Sequence, residues 1–323
     1  MDCKPGRMLS GWYMVASLFP LLMFACCAGC ATPPPPLAMA KSSQFNLPPF
    51  KIEGKAMDYP VYVFGAGSGK PPVLLLHELP GLSSKTLAYA AELSEDFTVY
   101  VPRLFGTTGQ DSMWKGMAAF ALNGDWSRAT IDKVPTRRIT AWLRLVLARI
   151  EKAHAPQPVG IIGMCMTGDM PLALAATSPK VLAVVLAQPT LPLLSRFYNP
   201  KALSISKEEF DQARFRVNSG HLKVYGTRFH EDTTALWEKF DYLKKELAEG
   251  FCDGEIDNDR ASLLPGEPRG EAIPVTAHST LIYEYKEPND PSGFRRQEIV
   301  KFLKNEVKLL PRRQSQCPNV PFK

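Results

Sequence analysis

A chain of 323 residues with 45% apolar content can bury a large core, and its net charge of +6 comes from 38 basic and 32 acidic residues scattered along it. Charge so dispersed is that of a solvated surface, and it argues against nucleic-acid binding, which needs basic residues concentrated on one face. No C-x-x-C or H-x-x-x-H pair in the globular part supports a metal site.

The chain opens with Lys4 and Arg7, runs apolar from about Met8 to Ala28 and ends that run in small residues, the layout of a bacterial secretory signal peptide over 1–29. "CAGC" resembles the lipobox of bacterial lipoproteins, with Cys30 as lipid acceptor and Cys27 where Leu is usual. A stiff Pro-rich tether, "ATPPPPLAMAKSS", occupies most of 30–44. The expectation is an exported domain of the cell envelope or periplasm, held to the membrane by an N-terminal lipid. An uncleaved membrane anchor and plain cleavage are the alternatives. Cys165, Cys252 and Cys317 then remain from the seven cysteines. An oxidising compartment favours pairing Cys252 with Cys317 and leaves Cys165 as a free thiol.

From residue 45 the pattern alternates. "VYVF" and "VLLLHE" read as strands, joined by "GAGSGKPP" as a hairpin turn; the spacing in that turn fails the phosphate-loop motif. "SKTLAYAAELSED" has helical spacing with a stripe of Leu87, Ala90, Ala91 and Leu93, and "FTVYVP" is a strand. Residues 105–136 are irregular. "TRRITAWLRLVLARIEKAHA" is an amphipathic helix, "VGIIGM" a buried strand and "GDMPLALAATSP" a helix in which Pro171 threatens a kink. "VLAVVLAQP" and "HLKVYG" are strands, with helices over 202–216 and "TALWEKFDYLKKELAEG". "AIPVTA" is the last strand candidate, and "PSGFRRQEIVKFLKNEVKLL" is the closing helix. Such alternation predicts an α/β fold, a mostly parallel sheet with helices on both faces, as one domain over 45–310 with a tail over 311–323.

Reactive groups in such sheets sit at the carboxyl ends of strands. "GMCMTG" places Cys165 directly after a strand and before a helix, the position of the nucleophile elbow with sulfur in place of oxygen. A sharp turn there needs small neighbours, which Gly163 supplies. The helix N-terminus favours a thiolate, and the Met166 N–H can face an oxyanion.

The order of "HELPGL", "GMCMTG", "YGTRFHED" and a late histidine in "VTAHST" resembles the dienelactone hydrolases over roughly 45–310. The resemblance implies an α/β-hydrolase fold with a Cys-His-Asp triad and no cofactor. It implies Cys165 as nucleophile, His278, expected directly after a strand, as general base and then acid, and Asp232 as the orienting acid. Glu231 competes with Asp232, and His77 and His230 compete with His278. Glu78 matches a glutamate that contacts the resting thiol, and Leu79 would supply a second oxyanion N–H beside Met166. Two departures stand out: Thr167 replaces a glycine after the elbow, and "HSTLIYEY" lacks the arginine that would hold a substrate carboxylate. The sequence therefore points to an exported hydrolase of a small-molecule ester, lactone or thioester rather than of dienelactone itself. Arg103, at another strand end, is a further candidate to meet an anionic substrate. The alternative is a binding or scaffold protein that kept the fold and lost the chemistry.

Overall fold

In a computed structural model of the chain, residues 37–123, 137–190, 199–258, 274 and 276–307 are described. They contain ten strands and seven α-helices in the order β1 (Ser42–Gln44), β2 (Phe50–Ile52), β3 (Lys55–Met57), β4 (Val61–Phe64), β5 (Pro72–Leu76), α1 (Ser84–Leu93), β6 (Thr98–Pro102), α2 (Met113–Leu122), α3 (Arg138–Ala153), β7 (Val159–Met164), α4 (Met170–Thr177), β8 (Val181–Ala187), α5 (Lys207–Asn218), β9 (Lys223–Thr227), α6 (Trp237–Leu247), β10 (Phe251–Asp253) and α7 (Pro291–Glu306). Residues 1–29, Cys30, Cys317 and the tail 311–323 lie outside the described residues.

Eight strands form one sheet in the order β1-β4-β6-β5-β7-β8-β9-β10. It is parallel from β6 to β10, and β4 and β1 extend it antiparallel at one edge. The central strands are apolar runs because both faces are covered. Successive side chains of a strand point to opposite faces, and the core divides accordingly. Val159 and Ile161 of β7 pack on one side with α3, α4, α5 and α6, whereas Ile162 and Met164 pack on the other with α1 and α7. β5 and β8 alternate in the same way: Leu74 and Leu76 face the first layer, Val73 and Leu75 the second.

Local signals set the helix starts. Ser83 caps α1 by accepting from the Thr86 N–H at 3.1 Å. Ser206 and Glu209 form a reciprocal capping box at α5, and Asp290 accepts from the Gly293 N–H at the start of α7. Pro171 occupies the first turn of α4, where a missing N–H costs nothing, so the expected kink does not arise.

Several expectations are corrected. Residues 65–71 do not close a hairpin, because β4 and β5 lie on either side of β6 and pair with it rather than with each other. Residues 37–44, read as the end of the tether, form a 3-10 turn (Leu37–Lys41) and β1, which joins the sheet beside β4. Among the described residues the last strand is β10, from "FCD". The described residues of "AIPVTA" make a turn closed by the Ala277 N–H to the Pro274 carbonyl at 2.9 Å, so His278 follows a turn and not a strand. Residues 105–123, expected to be irregular, include α2, and residues 124–136 lie outside the described residues. No helix among the described residues is long and apolar enough to cross a membrane.

Candidate active site

β7 ends at Met164, and the chain turns at once through Cys165, whose φ of +53° lies in the left-handed region. A non-glycine residue there is strained by roughly 1–3 kcal/mol, and the surroundings hold it in place. The Cys165 carbonyl accepts from the Gly168 N–H at 2.9 Å and the Thr190 N–H at 3.1 Å. Both glycines of the motif are sterically required. A Cβ on Gly163 would lie 2.4 Å from the Thr167 carbonyl oxygen, and one on Gly168 would lie 2.6 Å from Cα of Pro189.

Thr167, the departure from the family pattern, is fully buried and ties this elbow to the neighbouring strand. Its hydroxyl accepts from the Met164 N–H at 2.9 Å and faces three carbonyls: Met164 at 2.9 Å, Leu76 at 3.2 Å and His77 at 3.3 Å. A hydroxyl has one proton to give, so these acceptors share it. Its effect is to hold the end of β7 against the end of β5, where the segment bearing Glu78 begins.

His278 Nδ1 lies 2.6 Å from Oδ2 of Asp232. The other oxygen of Asp232 accepts from the Thr234 N–H at 2.7 Å and the Ala235 N–H at 3.0 Å, so the buried carboxylate is fixed before it meets the ring. Arg228, also buried, braces this loop by donating to the carbonyls of Ala235, His230 and Asp232 and pairing with Glu255. Glu231 is exposed, and of the two acids it is Asp232 that meets the ring. His230 is exposed too, 3.4 Å from Glu255.

On the other side of the ring, Nε2 of His278 is buried without a hydrogen-bond partner. One donor atom from each of Glu78, Cys165 and His278 lies within 4.8 Å of the other two. Burial pulls the His278 pKa down, but the Asp232 hydrogen bond and the adjacent Cys165 sulfur outweigh it and push the value up to about 11.

Glu78 is buried at the carboxyl end of β5. Ser279 donates to one of its oxygens, and Gln188 Nε2 donates to the other at 3.1 Å. Thr280 in turn donates to Gln188 Oε1. Burial raises the Glu78 pKa, against the lowering effects of Ser279, His278 and Gln188. The carboxyl thus sits near the thiol with both oxygens occupied by neutral donors. Leu79 lies inside the turn closed by the Gly81 N–H to the Glu78 carbonyl at 2.9 Å, so its own N–H is not part of that hydrogen bond. Met166 directly follows Cys165 in the elbow.

Gln188, Ser279, Thr280 and Arg228 escaped the sequence reading. The carboxyl end of β8 carries Gln188, and that position was the available signal. Arg296 on α7 also went unnoticed. It grips the Leu281 carbonyl at 2.6 and 2.8 Å, bracing the segment after His278 where the family's arginine is missing. Arg103 lies close enough to His77 for its charge to lower the ring's pKa.

His77 belongs to the scaffold. Its Nε2 accepts from the Leu104 N–H at 3.0 Å, which leaves Nδ1 to donate to the Glu78 carbonyl at 3.0 Å. Burial, chiefly, lowers its pKa from 6.5 to about 4. The unfolded chain therefore binds a proton between those values that the native state refuses. The neutral ring's contribution is complete above pH 6.5 and is lost as pH falls through 4, on the order of 3 kcal/mol in all. Urea midpoints should fall over that window in the wild type, and His77→Gln should flatten the slope. An unchanged slope in the variant would assign the acid sensitivity elsewhere.

Cys165 is the free cysteine among the described residues, and Cys252 is disulfide-bonded.

Residues 60–209 match the dienelactone hydrolase family. No curated protein matches the chain. Among solved structures, Pyrococcus horikoshii acylaminoacyl peptidase aligns with a TM-score of 0.51 at 10% identity, over 85% of this chain and 43% of that one. A Mycobacterium tuberculosis puromycin-hydrolyzing peptidase gives 0.50 at 13%, over 86% and 41%. The chain therefore spans less than half the length of either peptidase. A Klebsiella pneumoniae protein provisionally named a dienelactone hydrolase gives 0.47 at 16%, over 67% and 84%. At such identities the two peptidases speak for the fold alone. Residues 60–209, a little under half of the chain, match the dienelactone hydrolase family, and the protein is a hydrolase built on an α/β-hydrolase fold.

Proposed function

We propose that the protein hydrolyses a small-molecule ester, lactone or thioester through an acyl-enzyme on Cys165. The observation that carries this reading is the convergence of the Cys165 thiol on His278 Nε2, with Nδ1 of the same ring fixed by Asp232 at 2.6 Å. Cys165 yields its proton to His278 Nε2, and Cys165 Sγ attacks the substrate carbonyl carbon. The N–H groups of Leu79 and Met166 receive the oxyanion. Collapse expels the alcohol or thiol, which takes the proton from His278. His278 then removes a proton from water, the hydroxide attacks the thioester, and the free acid leaves with Cys165 restored. The free carboxylate of dienelactone would meet no arginine within 278–285, so a neutral acyl group suits the site better.

The setting we infer is the cell envelope, reached through the signal peptide at 1–29 and kept by a lipid on Cys30. The basic, apolar and small-residue order of the leader supports this, and so does the disulfide at Cys252, a bond that persists in oxidising compartments. A scaffold reading would leave the convergence of Cys165, His278 and Asp232 without a purpose.

The test is trapping. The full chain is mixed with a panel of aryl esters and lactones, quenched within one turnover and weighed intact. An acyl adduct on Cys165, absent in Cys165→Ala, is expected. Turnover that survives Cys165→Ala in a protein of native circular dichroism would overturn the reading.

A further inference from the structure

We propose that Glu78, Cys165 and His278 form a binding site for a borderline divalent cation of the Zn²⁺ class, which switches the hydrolase off. The binding stands on side-chain geometry alone, and only its inhibitory consequence rests on the hydrolytic reading. Three donors of different chemistry, a carboxylate oxygen, a thiol sulfur and an imidazole nitrogen, lie within 4.8 Å of one another. A tetrahedral ion with bonds of about 2.0–2.3 Å needs them about 3.3–3.6 Å apart, so they close by at most about 1.5 Å, within reach of side-chain adjustment.

The surroundings are those of a metal site. His278 offers Nε2, buried and without a hydrogen-bond partner, while its Nδ1 is held by Asp232 at 2.6 Å. A carboxylate behind a ligating histidine fixes its tautomer and turns its lone pair toward the ion. Glu78 has the same support. One oxygen can ligate while the other keeps its bond to Ser279 or Gln188. Three protein donors leave a fourth position open to water. Thiolate and imidazole together select Zn²⁺ over Mg²⁺ or Ca²⁺, which prefer all-oxygen sites. Binding displaces the thiol proton, and any proton on Nε2, to solvent. The cation then holds the nucleophile and the base at once, so ester cannot be attacked until it leaves.

Cobalt(II) serves as the visible substitute for Zn²⁺. The protein is the full chain, chelator-treated, with Cys3, Cys26, Cys27 and Cys30 replaced by Ser so that leader thiols cannot bind. One equivalent is expected to give a near-ultraviolet thiolate-to-cobalt charge-transfer band and the intense visible bands of a four-coordinate ion, both erased by Zn²⁺. Cys165→Ser should lose the charge-transfer band. Asp232→Asn should keep the band but weaken binding roughly 10- to 100-fold. Circular dichroism confirms that each variant is folded. A band that persists in folded Cys165→Ser, or no band in the parent at about 1 mM cobalt, overturns the site. Ester hydrolysis is measured in the same metal-free samples. Cobalt bands without hydrolysis would retire the enzymatic reading and keep the site; hydrolysis untouched by saturating Zn²⁺, without bands, would do the reverse.

Discussion

Asp232→Asn should lower kcat by roughly 10³–10⁴-fold while leaving KM nearly unchanged. The reason lies in how the carboxylate is held. Its Oδ1 accepts two backbone N–H groups, from Thr234 and Ala235. An asparagine would keep its carbonyl oxygen there and so turn its NH₂ toward His278 Nδ1. That donor forces the ring proton onto Nε2, the nitrogen that must take the proton of Cys165. Substrate still binds, but the base is in the wrong tautomer. Glu231→Gln, one residue away and exposed, should stay within about twofold of wild type. Steady-state kinetics on the two variants decide the matter. Equal losses in both, or a loss confined to KM, would remove Asp232 from the mechanism.

The largest effect on stability is expected at Lys239→Met. Lys239 Nζ lies 2.6 Å from Oδ2 of Asp169 and 2.8 Å from the Thr190 carbonyl, and neither charged side chain reaches solvent. Burial lowers the pKa of Lys239, and the paired carboxylate opposes that shift. Removing the ammonium leaves Asp169 charged in the interior, its Oδ2 still accepting from the Ser204 N–H at 2.6 Å and the buried Arg137 as the nearby cation. A buried ion pair broken on one side costs roughly 3–5 kcal/mol. Replacing both partners, as in Lys239→Met with Asp169→Leu, should recover most of it, because a matched apolar pair carries no desolvation debt. Urea denaturation of the single and double variants measures this. A single variant within 1 kcal/mol of wild type would mean that the pair contributes nothing net. Activity should fall as well, since Thr190 also donates to the Cys165 carbonyl and helps hold the elbow.

What the sequence disclosed follows the range of the forces involved. Strands β5, β7 and β8 are apolar along their whole length because both faces are covered, and the elbow is a local feature of six residues; both were legible. β10 was not. Three residues, "FCD", carry too little pattern, and the strand exists because it pairs with β9. The expected strand before His278 failed for the opposite reason: "AIPVTA" has the composition of a strand, but its described residues close a turn instead. Asp232 and Glu231 are neighbours of similar chemistry. Only the backbone amides of Thr234 and Ala235 decide which one turns inward. Gln188, Ser279 and Lys239 owe their places to partners 110, 201 and 70 residues away, and no local reading reaches so far.

The same separations govern the order in which the site is assembled. The family match ends at residue 209, and Cys165 and Glu78 lie within it, while Asp232 and His278 lie beyond. The bond between Glu78 and Ser279 closes a loop of 201 residues, and the ion pair between Glu92 and Arg296 closes one of 204. Loops this long form late in folding, after the helices and the central strands. A newly made chain therefore displays its thiol before it owns a base to govern it. In an oxidising compartment that interval exposes Cys165 to sulfenic acid formation and to mispairing with the cysteine destined for the disulfide at Cys252. On the proposed reading, the speed with which the C-terminal third docks would set how many molecules keep Cys165 reduced.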